Sequence, residues 1–231
     1  MFVTHQYILE GKPLPCPYNL SHSFFKLVLD YSTTRKTMAL VSTFEVLLKP
    51  QLPPVKGLEN LSRKVIQGYF LTIANVNFFP VTLSVVFTVK FPSDPGNPGA
   101  LPKNFEDFLE AVDISGVNII SNSSLVPEKV PQNNKARLTF TIPENGTSLL
   151  LLQPDITKSA ITSGANFEAR GYVEIFLSSL SGSDAATLLV TPEHRGTFFK
   201  DITSNNPDKI SLDQIAYALP VSNGGVFKLS N

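Results

Sequence analysis

Residues 81–91 decide the fold class, because the sequence there, VTLSVVFTVKF, alternates apolar and polar side chains. Every odd position is apolar, and every even position except Val86 is polar. Successive side chains of a β-strand point to opposite faces of its sheet, so this period predicts a strand with one face in a core. The same period recurs in four other stretches, which are Phe25–Tyr31, Met38–Leu48, Leu138–Ile142 and Val173–Leu177.

Short turn sequences separate these strands and favour antiparallel hairpins. Three hairpins are expected: 69–74 with 81–91 through Asn75–Pro80, 137–142 with 148–152 through Glu144–Gly146, and 171–177 with 187–191 through Ser181–Asp184. Further apolar stretches at 196–199, 215–219 and 226–229 bring the total to about ten to twelve strands, the number typical of two packed sheets. We therefore predict an all-β, antiparallel two-sheet β-sandwich, either Ig-like or jelly-roll-like.

One short helix is expected over residues 104–112. Asn104 is a suitable N-cap, and Glu106 places an acidic group in the first turn, where it interacts favourably with the helix dipole. The apolar residues Phe105, Phe108 and Leu109 follow at helical spacing.

The segment 92–103 is predicted to be a crossover, since residues 92–102 contain four prolines and two glycines, which end both strands and helices. The residues before it supply only about four strands, too few for a sandwich. We therefore favour a single domain over residues 1–231, with an extended N-terminal arm over residues 1–22. The alternative is two domains, 1–92 and 104–231.

Charge is scarce in this chain. Charged residues make up 16% of it, and 19 Lys and Arg balance 19 Asp and Glu, so the net charge is zero. A soluble domain usually carries about a quarter charged residues. A neutral, weakly charged surface favours association with a protein partner, whereas nucleic-acid binding is disfavoured because no basic patch is present.

The sequence predicts no metal or cofactor. His5, His22 and His194 have no ligands at metal-site spacing, and no phosphate-binding glycine loop is present. Cys16 is the single cysteine, so no intramolecular disulfide can form. No secretory leader or membrane-spanning apolar run is recognisable, which predicts a cytoplasmic protein, or alternatively one exported without a recognisable signal peptide.

The densest polar cluster is the segment Thr191–Thr197, expected as a loop between two strands. Glu193 could orient His194 as a general base, and Arg195 could bind an anion. The alternative is a solvated hairpin loop in which Gly196 makes the turn. A Gly-x-Ser-x-Gly nucleophile motif is absent from the sequence.

A second candidate site lies on one predicted strand, where Glu168, Arg170 and Glu174 alternate and so share one face. Two carboxylates on one face are typical of glycoside hydrolases. The alternative is a surface ion-pair ladder centred on Arg170. With neighbouring Tyr172, residues Arg170 and Glu174 are the candidate binding residues.

The leading functional hypothesis is a non-enzymatic structural or interaction module that self-associates or docks into a larger assembly. It depends on the low charge and on apolar residues such as Val86 and Leu189, which stand on faces expected to be polar. The alternative is a small-ligand or carbohydrate-binding protein, or a hydrolase, that uses the Glu193-His194-Arg195 loop. A carbohydrate site would need exposed aromatic residues, and the candidates are Tyr69, Tyr172 and Tyr217.

Overall fold

In the part of the chain that the structure, a computed structural model, describes, eleven antiparallel β-strands form one hydrogen-bonded network. They are β1 (Met38–Pro50), β2 (Lys64–Asn75), β3 (Val81–Lys90), β4 (Leu109–Asp113), β5 (Val126–Pro127), β6 (Lys135–Ile142), β7 (Thr147–Pro154), β8 (Phe167–Leu177), β9 (Ala185–Phe199), β10 (Asp213–Ala218) and β11 (Val226–Ser230). Within the same residues, α-helix is confined to Ser159–Thr162 (α1). The predicted all-β, antiparallel class is confirmed.

The described residues are 37–52, 56–57, 63–90, 109–113, 126–127, 134–162, 166–200 and 213–231. All of them belong to one unit, residues 34–231. The predicted arm 1–22, the strand at 25–31 and the crossover 92–103 lie outside the described residues, as do His5, Cys16 and His22. The one-domain and two-domain alternatives therefore stay predictions.

Two long strands, β2 and β9, connect the rest of the network. The pairing order is β10-β9-β2-β1-β8-β3-β6-β5. Strand β9 pairs with one edge of β2 along its whole length. The other edge of β2 is shared by two strands: residues 64–67 pair with β1, and residues 69–74 pair with β7. The sheet thus forks at Gly68 into a long branch (β1, β8, β3, β6 and β5) and a short branch (β7 and β4). Strand β9 is divided in the same way between β11 and β10.

The three predicted hairpins are wrong. Strands β2 and β3, β6 and β7, and β8 and β9 are consecutive in the sequence, but the strands of each pair are not hydrogen-bonded to each other. Each turn instead carries the chain between the long branch and one of the strands β2, β7 and β9. Turn residues favour a change of chain direction, but they do not select the strand that fills the next sheet position.

The predicted helix over 104–112 is also corrected, because residues Leu109–Asp113 form strand β4 and pair with Leu150–Pro154 of β7. Residues 104–108 lie outside the described residues. Pairing with β7 satisfies the backbone polar groups on one edge of this segment, and such tertiary contacts outweigh a weak helical spacing. The expected separate strand at 196–199 is the end of the 15-residue strand β9.

The core contains the alternating apolar residues on which the strand predictions depended. The odd-numbered residues of β3 and, except for Gly171, those of β8 are buried, together with apolar residues of β1, β2, β6, β7, β9 and β11. Val86 is buried as well, although its position in the alternation predicted an exposed face. It is therefore not available to a partner, whereas Leu189 is 45% exposed.

Candidate functional site

His194 lies in the middle of a continuous strand and not in a loop. The predicted loop Thr191–Thr197 is wrong, because β9 runs without interruption from Ala185 to Phe199 and pairs with β2 throughout this segment. Alternation along β9 directs Glu193 and Arg195 to one face of the sheet and His194 to the other. Glu193 is bonded to Arg195, so it does not orient His194 as the sequence-based hypothesis required.

The imidazole of His194 closes the fork between β1 and β2. Pairing between β1 and β2 covers Leu47–Pro50 of β1. Glu45 precedes Leu47 by two residues and therefore lies where the two strands have separated. The backbone N–H of Glu45 donates to His194 Nε2 at 3.1 Å, and the Gln67 amide donates to the Glu45 carbonyl at 2.9 Å. Two side chains thus satisfy a backbone that β2 no longer reaches.

This arrangement fixes the histidine tautomer. A backbone N–H can only donate, so Nε2 of His194 must be unprotonated and Nδ1 must carry the hydrogen. Nδ1 lies 3.0 Å from the Tyr217 hydroxyl, which in turn donates to Gln67 Oε1 at 3.1 Å. The Glu45 backbone, Gln67, His194 and Tyr217 therefore form a closed ring of hydrogen bonds, here called the fork cluster.

The fork cluster favours the neutral imidazole. His194 is 5% exposed, and burial lowers its pKa below the ordinary value. A proton on Nε2 would also face the Glu45 N–H. The two tyrosine rings near the imidazole belong to Tyr69 and Tyr217, at centroid distances of 6.2 and 5.3 Å, and both have raised pKa values owing mainly to burial. Both tyrosines are therefore neutral in the pH range where histidine titrates. The hydrogen bonds of the cluster stabilise the strand arrangement, and neither ring nitrogen of His194 is free to act as a base.

The lowered pKa of His194 predicts acid sensitivity. The unfolded chain binds a proton more readily than the native state, so the stabilisation is complete above the unfolded pKa of about 6.5 and is lost as pH falls through the native pKa. The free energy of unfolding should decrease from pH 7 to pH 5, and less so in His194→Gln, which retains an acceptor for Glu45 and costs about 1 kcal/mol at pH 7. Urea unfolding at several pH values measures this difference. Parallel pH profiles would contradict it.

The second candidate site is an ion-pair ladder on strands β1 and β8. Arg170 binds Glu45 at 2.8 Å and Glu168 at 2.7 Å, and Lys49 pairs with the other oxygen of Glu168. The hydrogen bond from Lys49 is the main cause of the lowered pKa of Glu168. Glu174 does not join this ladder and instead lies 3.9 Å from Lys135. The two carboxylates of the hypothesised glycosidase pair are thus each engaged by cations.

The three candidate tyrosines differ in accessibility. Tyr69 is buried, and its hydroxyl bonds Ser42 at 2.8 Å. Tyr172 is half-buried, with Thr43 and Thr88 opposite it on the neighbouring strands. Tyr217 is exposed but belongs to the fork cluster. The two residues directly opposite Tyr172 are thus threonines, whereas the carbohydrate hypothesis requires Asn or Asp beside the aromatic ring.

A cavity of about 310 Å³ lies on the other face of β9, the face to which Arg195 points. Its lining comes from four strands: Ile66, Gly68 and Phe70 of β2, Gln153 of β7, Arg195, Gly196 and Thr197 of β9, and Gln214, Ile215 and Ala216 of β10. Of the predicted cluster, Arg195 lines this cavity, whereas Glu193 and His194 are not part of the lining. Only the strand register, which one sequence does not reveal, brings these residues together.

Among the described residues, no cluster of three or more His, Cys, Asp or Glu side chains could hold a metal ion. The same residues include no helix with the length and apolarity needed to cross a membrane. The expected cytoplasmic location stays a prediction.

Comparisons with known proteins identify no family. No protein-family model and no curated protein matches this sequence. Among solved structures, Clostridium perfringens delta-toxin aligns over 84% of this chain and 94% of its own chain, with 10% sequence identity and a TM-score of 0.19. A TM-score this low carries no argument about fold or function.

Proposed function

We propose that this protein is a non-enzymatic structural or interaction module that self-associates through strand β10. The observation that carries the proposal is the exposure of this strand, since all six of its residues are exposed. Of the described strands, β10 pairs only with β9. No other described strand pairs with its second edge, and we propose that this edge offers its backbone donors and acceptors to an added strand.

The composition of β10 is suited to strand addition. Ile215 and Tyr217 are 51% and 44% exposed, and both residue types favour strands. Asp213, at one end, is the single charged residue of the strand, and it pairs with Arg63. Natural edge strands commonly carry lysine, proline or inward charges that prevent such pairing, and residues 213–218 contain no lysine or proline.

A second copy of this chain is the partner that these features favour. In an antiparallel pair of β10 strands about a twofold axis, the two Asp213 residues would lie at opposite ends and would not repel each other. The chain has a net charge of zero, so two copies also lack the long-range repulsion that opposes self-association.

Substitution of Ile215 by lysine should disrupt this dimer. The two introduced ammonium groups would lie near the twofold axis and repel each other, so the dimer dissociation constant should rise about tenfold or more. Light scattering after size-exclusion chromatography, at several protein concentrations and two salt concentrations, measures the mass. The matched control is Val226→Lys, at a similarly exposed residue of β11, which should leave the dimer intact. A monomeric wild-type protein at all concentrations would refute the proposal.

We further infer that the long branch packs face to face with β2, β9 and β11, so that the two groups of strands form the layers of a β-sandwich. Three hydrogen bonds between residues that are not paired in the network support this: Ser42 of β1 to Tyr69 of β2, Thr37 to Ser230, and Asn231 to Ser178. Long strands that change partners, as β2 and β9 do, commonly form the corners of such folds. The face-to-face layers would share the buried apolar residues of β1, β3 and β8 on one side and of β2, β9 and β11 on the other.

The hydrolase alternative has less support. Both ring nitrogens of His194 are hydrogen-bonded within the fork cluster. The imidazole is therefore neither oriented by a carboxylate nor available to a substrate. The small-ligand alternative is favoured by a specific observation, the cavity beside Arg195.

A further inference from the structure

The cavity beside Arg195 results from a gap in the side-chain rows on one sheet face. Gly68, Arg195 and Ala216 lie opposite each other on three adjacent strands. Glycine contributes no side chain and alanine only a methyl group. The Arg195 side chain extends along the sheet toward Phe70, and its guanidinium stacks on the Phe70 ring with the central carbon 4.3 Å from the ring centroid. A Cβ atom at Gly68 would already lie 3.0 Å from Cδ1 of Leu151 and 3.3 Å from Cε2 of Phe70, so the open space lies beside Gly68 and above Ala216.

The next row closes one side of the gap. Ile66, Thr197 and Gln214 lie opposite each other on the same three strands and line the cavity. Gln153 of β7 adds a second amide to the lining. The walls thus combine an apolar surface with two amides, a hydroxyl and one cation, so that polar groups able to orient a ligand lie beside apolar ones.

We propose that this cavity binds a small carboxylate that carries an apolar body. Arg195 is the single cation of the lining, and a planar guanidinium binds carboxylates with directional hydrogen bonds. The apolar body would lie against Ile66 and Phe70, and the amide of Gln214 can donate to a carboxylate oxygen. This inference goes beyond the proposed self-association and does not depend on it.

Glu193 controls the affinity of this cavity for anions, because its carboxylate is bonded to Arg195. Its carboxylate bonds Nε and Nη2 of Arg195, so an incoming carboxylate competes with it for the guanidinium. Removal of the Glu193 charge should therefore strengthen binding of an anion without affecting a neutral ligand of the same shape. That difference separates recognition of charge from simple filling of the cavity.

Phenylacetate and its neutral analogue phenylacetamide are suitable probes, with binding followed by chemical-shift changes of backbone amides in residues 195–197 and 214–216. For phenylacetate we expect a dissociation constant of about a millimolar. Arg195→Met should weaken phenylacetate binding about tenfold, and Glu193→Gln should strengthen it about threefold, while each changes phenylacetamide binding less than about twofold. Ala216→Phe should abolish binding of both probes by filling the gap.

The matched control is Arg137→Met, which removes an exposed arginine from β6 and should leave both affinities unchanged. Thermal unfolding checks that each variant is folded. The proposal is overturned if phenylacetate causes no saturable shifts up to about 50 mM, if Arg195→Met binds it as wild type does, or if phenylacetamide binds equally well. The mass measurements that test β10 pairing are independent of all three outcomes.

Discussion

Substitution of Gly171 by alanine is expected to destabilise the protein by at least about 3 kcal/mol, because β8 leaves no room for a side chain there. A Cβ atom at this position would lie 2.0 Å from the backbone oxygen of Thr88 and 2.7 Å from Cζ of Phe44. The Thr88 oxygen belongs to the paired strand β3, so it cannot move without disturbing the ladder. The ring of Phe44 packs among core residues and lies 5.4 Å from the ring of Tyr69.

Urea unfolding of Gly171→Ala measures this loss. Gly182→Ala is the matched control, since no atom lies within 4 Å of its added Cβ and the glycine is exposed, so a change within about 0.5 kcal/mol is expected. For a domain of this size, a loss of about 3 kcal/mol lowers the melting temperature by about 6–12 °C. Equal stability of the two variants would show that β3 and β8 can separate at Thr88.

The strand content could be predicted because burial on one face imposes a period of two, and β3 and β8 obey it almost throughout. The pairing could not, because alternation defines the faces of a strand but not its neighbours. Strand β2 shows the difference: its two halves have different partners on one edge, at positions separated only by Gly68. The segment 109–113 shows the same limit, since only the proximity of β7 makes it a strand.

The candidate site was misplaced for a local reason. Pro192 and Gly196 flank the segment Glu193–Arg195, and both residue types favour loops. Strand β9 accommodates both residues. Pro192 lies opposite Leu71 of β2, and the side chain of Ile215 on β10 packs against Gly196, where a Cβ atom would lie 3.2 Å from Cγ2 of Ile215. Once this segment is a strand, alternation separates His194 from its two neighbours. The three adjacent residues therefore lie on two different faces of the sheet and do not form one site.

The turns that connect the branches depend on one buried amide, that of Asn75. This side chain is 1% exposed at the end of β2. Its nitrogen donates to the carbonyls of Phe79, Ile142 and Pro143 at 2.8 to 3.2 Å, and its oxygen accepts from the backbone and side-chain nitrogens of Asn77. The amide thereby fixes the 76–80 turn against the turn between β6 and β7.

Substitution of Asn75 by alanine should cost about 3 kcal/mol or more, because buried carbonyls and the Asn77 nitrogens lose their partner together. Asn75→Asp tests the donors separately: it keeps an acceptor for Asn77 but presents an anion to three carbonyls, so it should be at least as unstable at pH 7 and should recover partly in acid, where the carboxyl group gains a proton. Urea unfolding measures both variants, with exposed Asn166→Ala as a control expected within about 0.5 kcal/mol of wild type. If Asn75→Ala were as stable as that control, water would have to replace the amide at the turns, and the connections between the branches would need another source of rigidity.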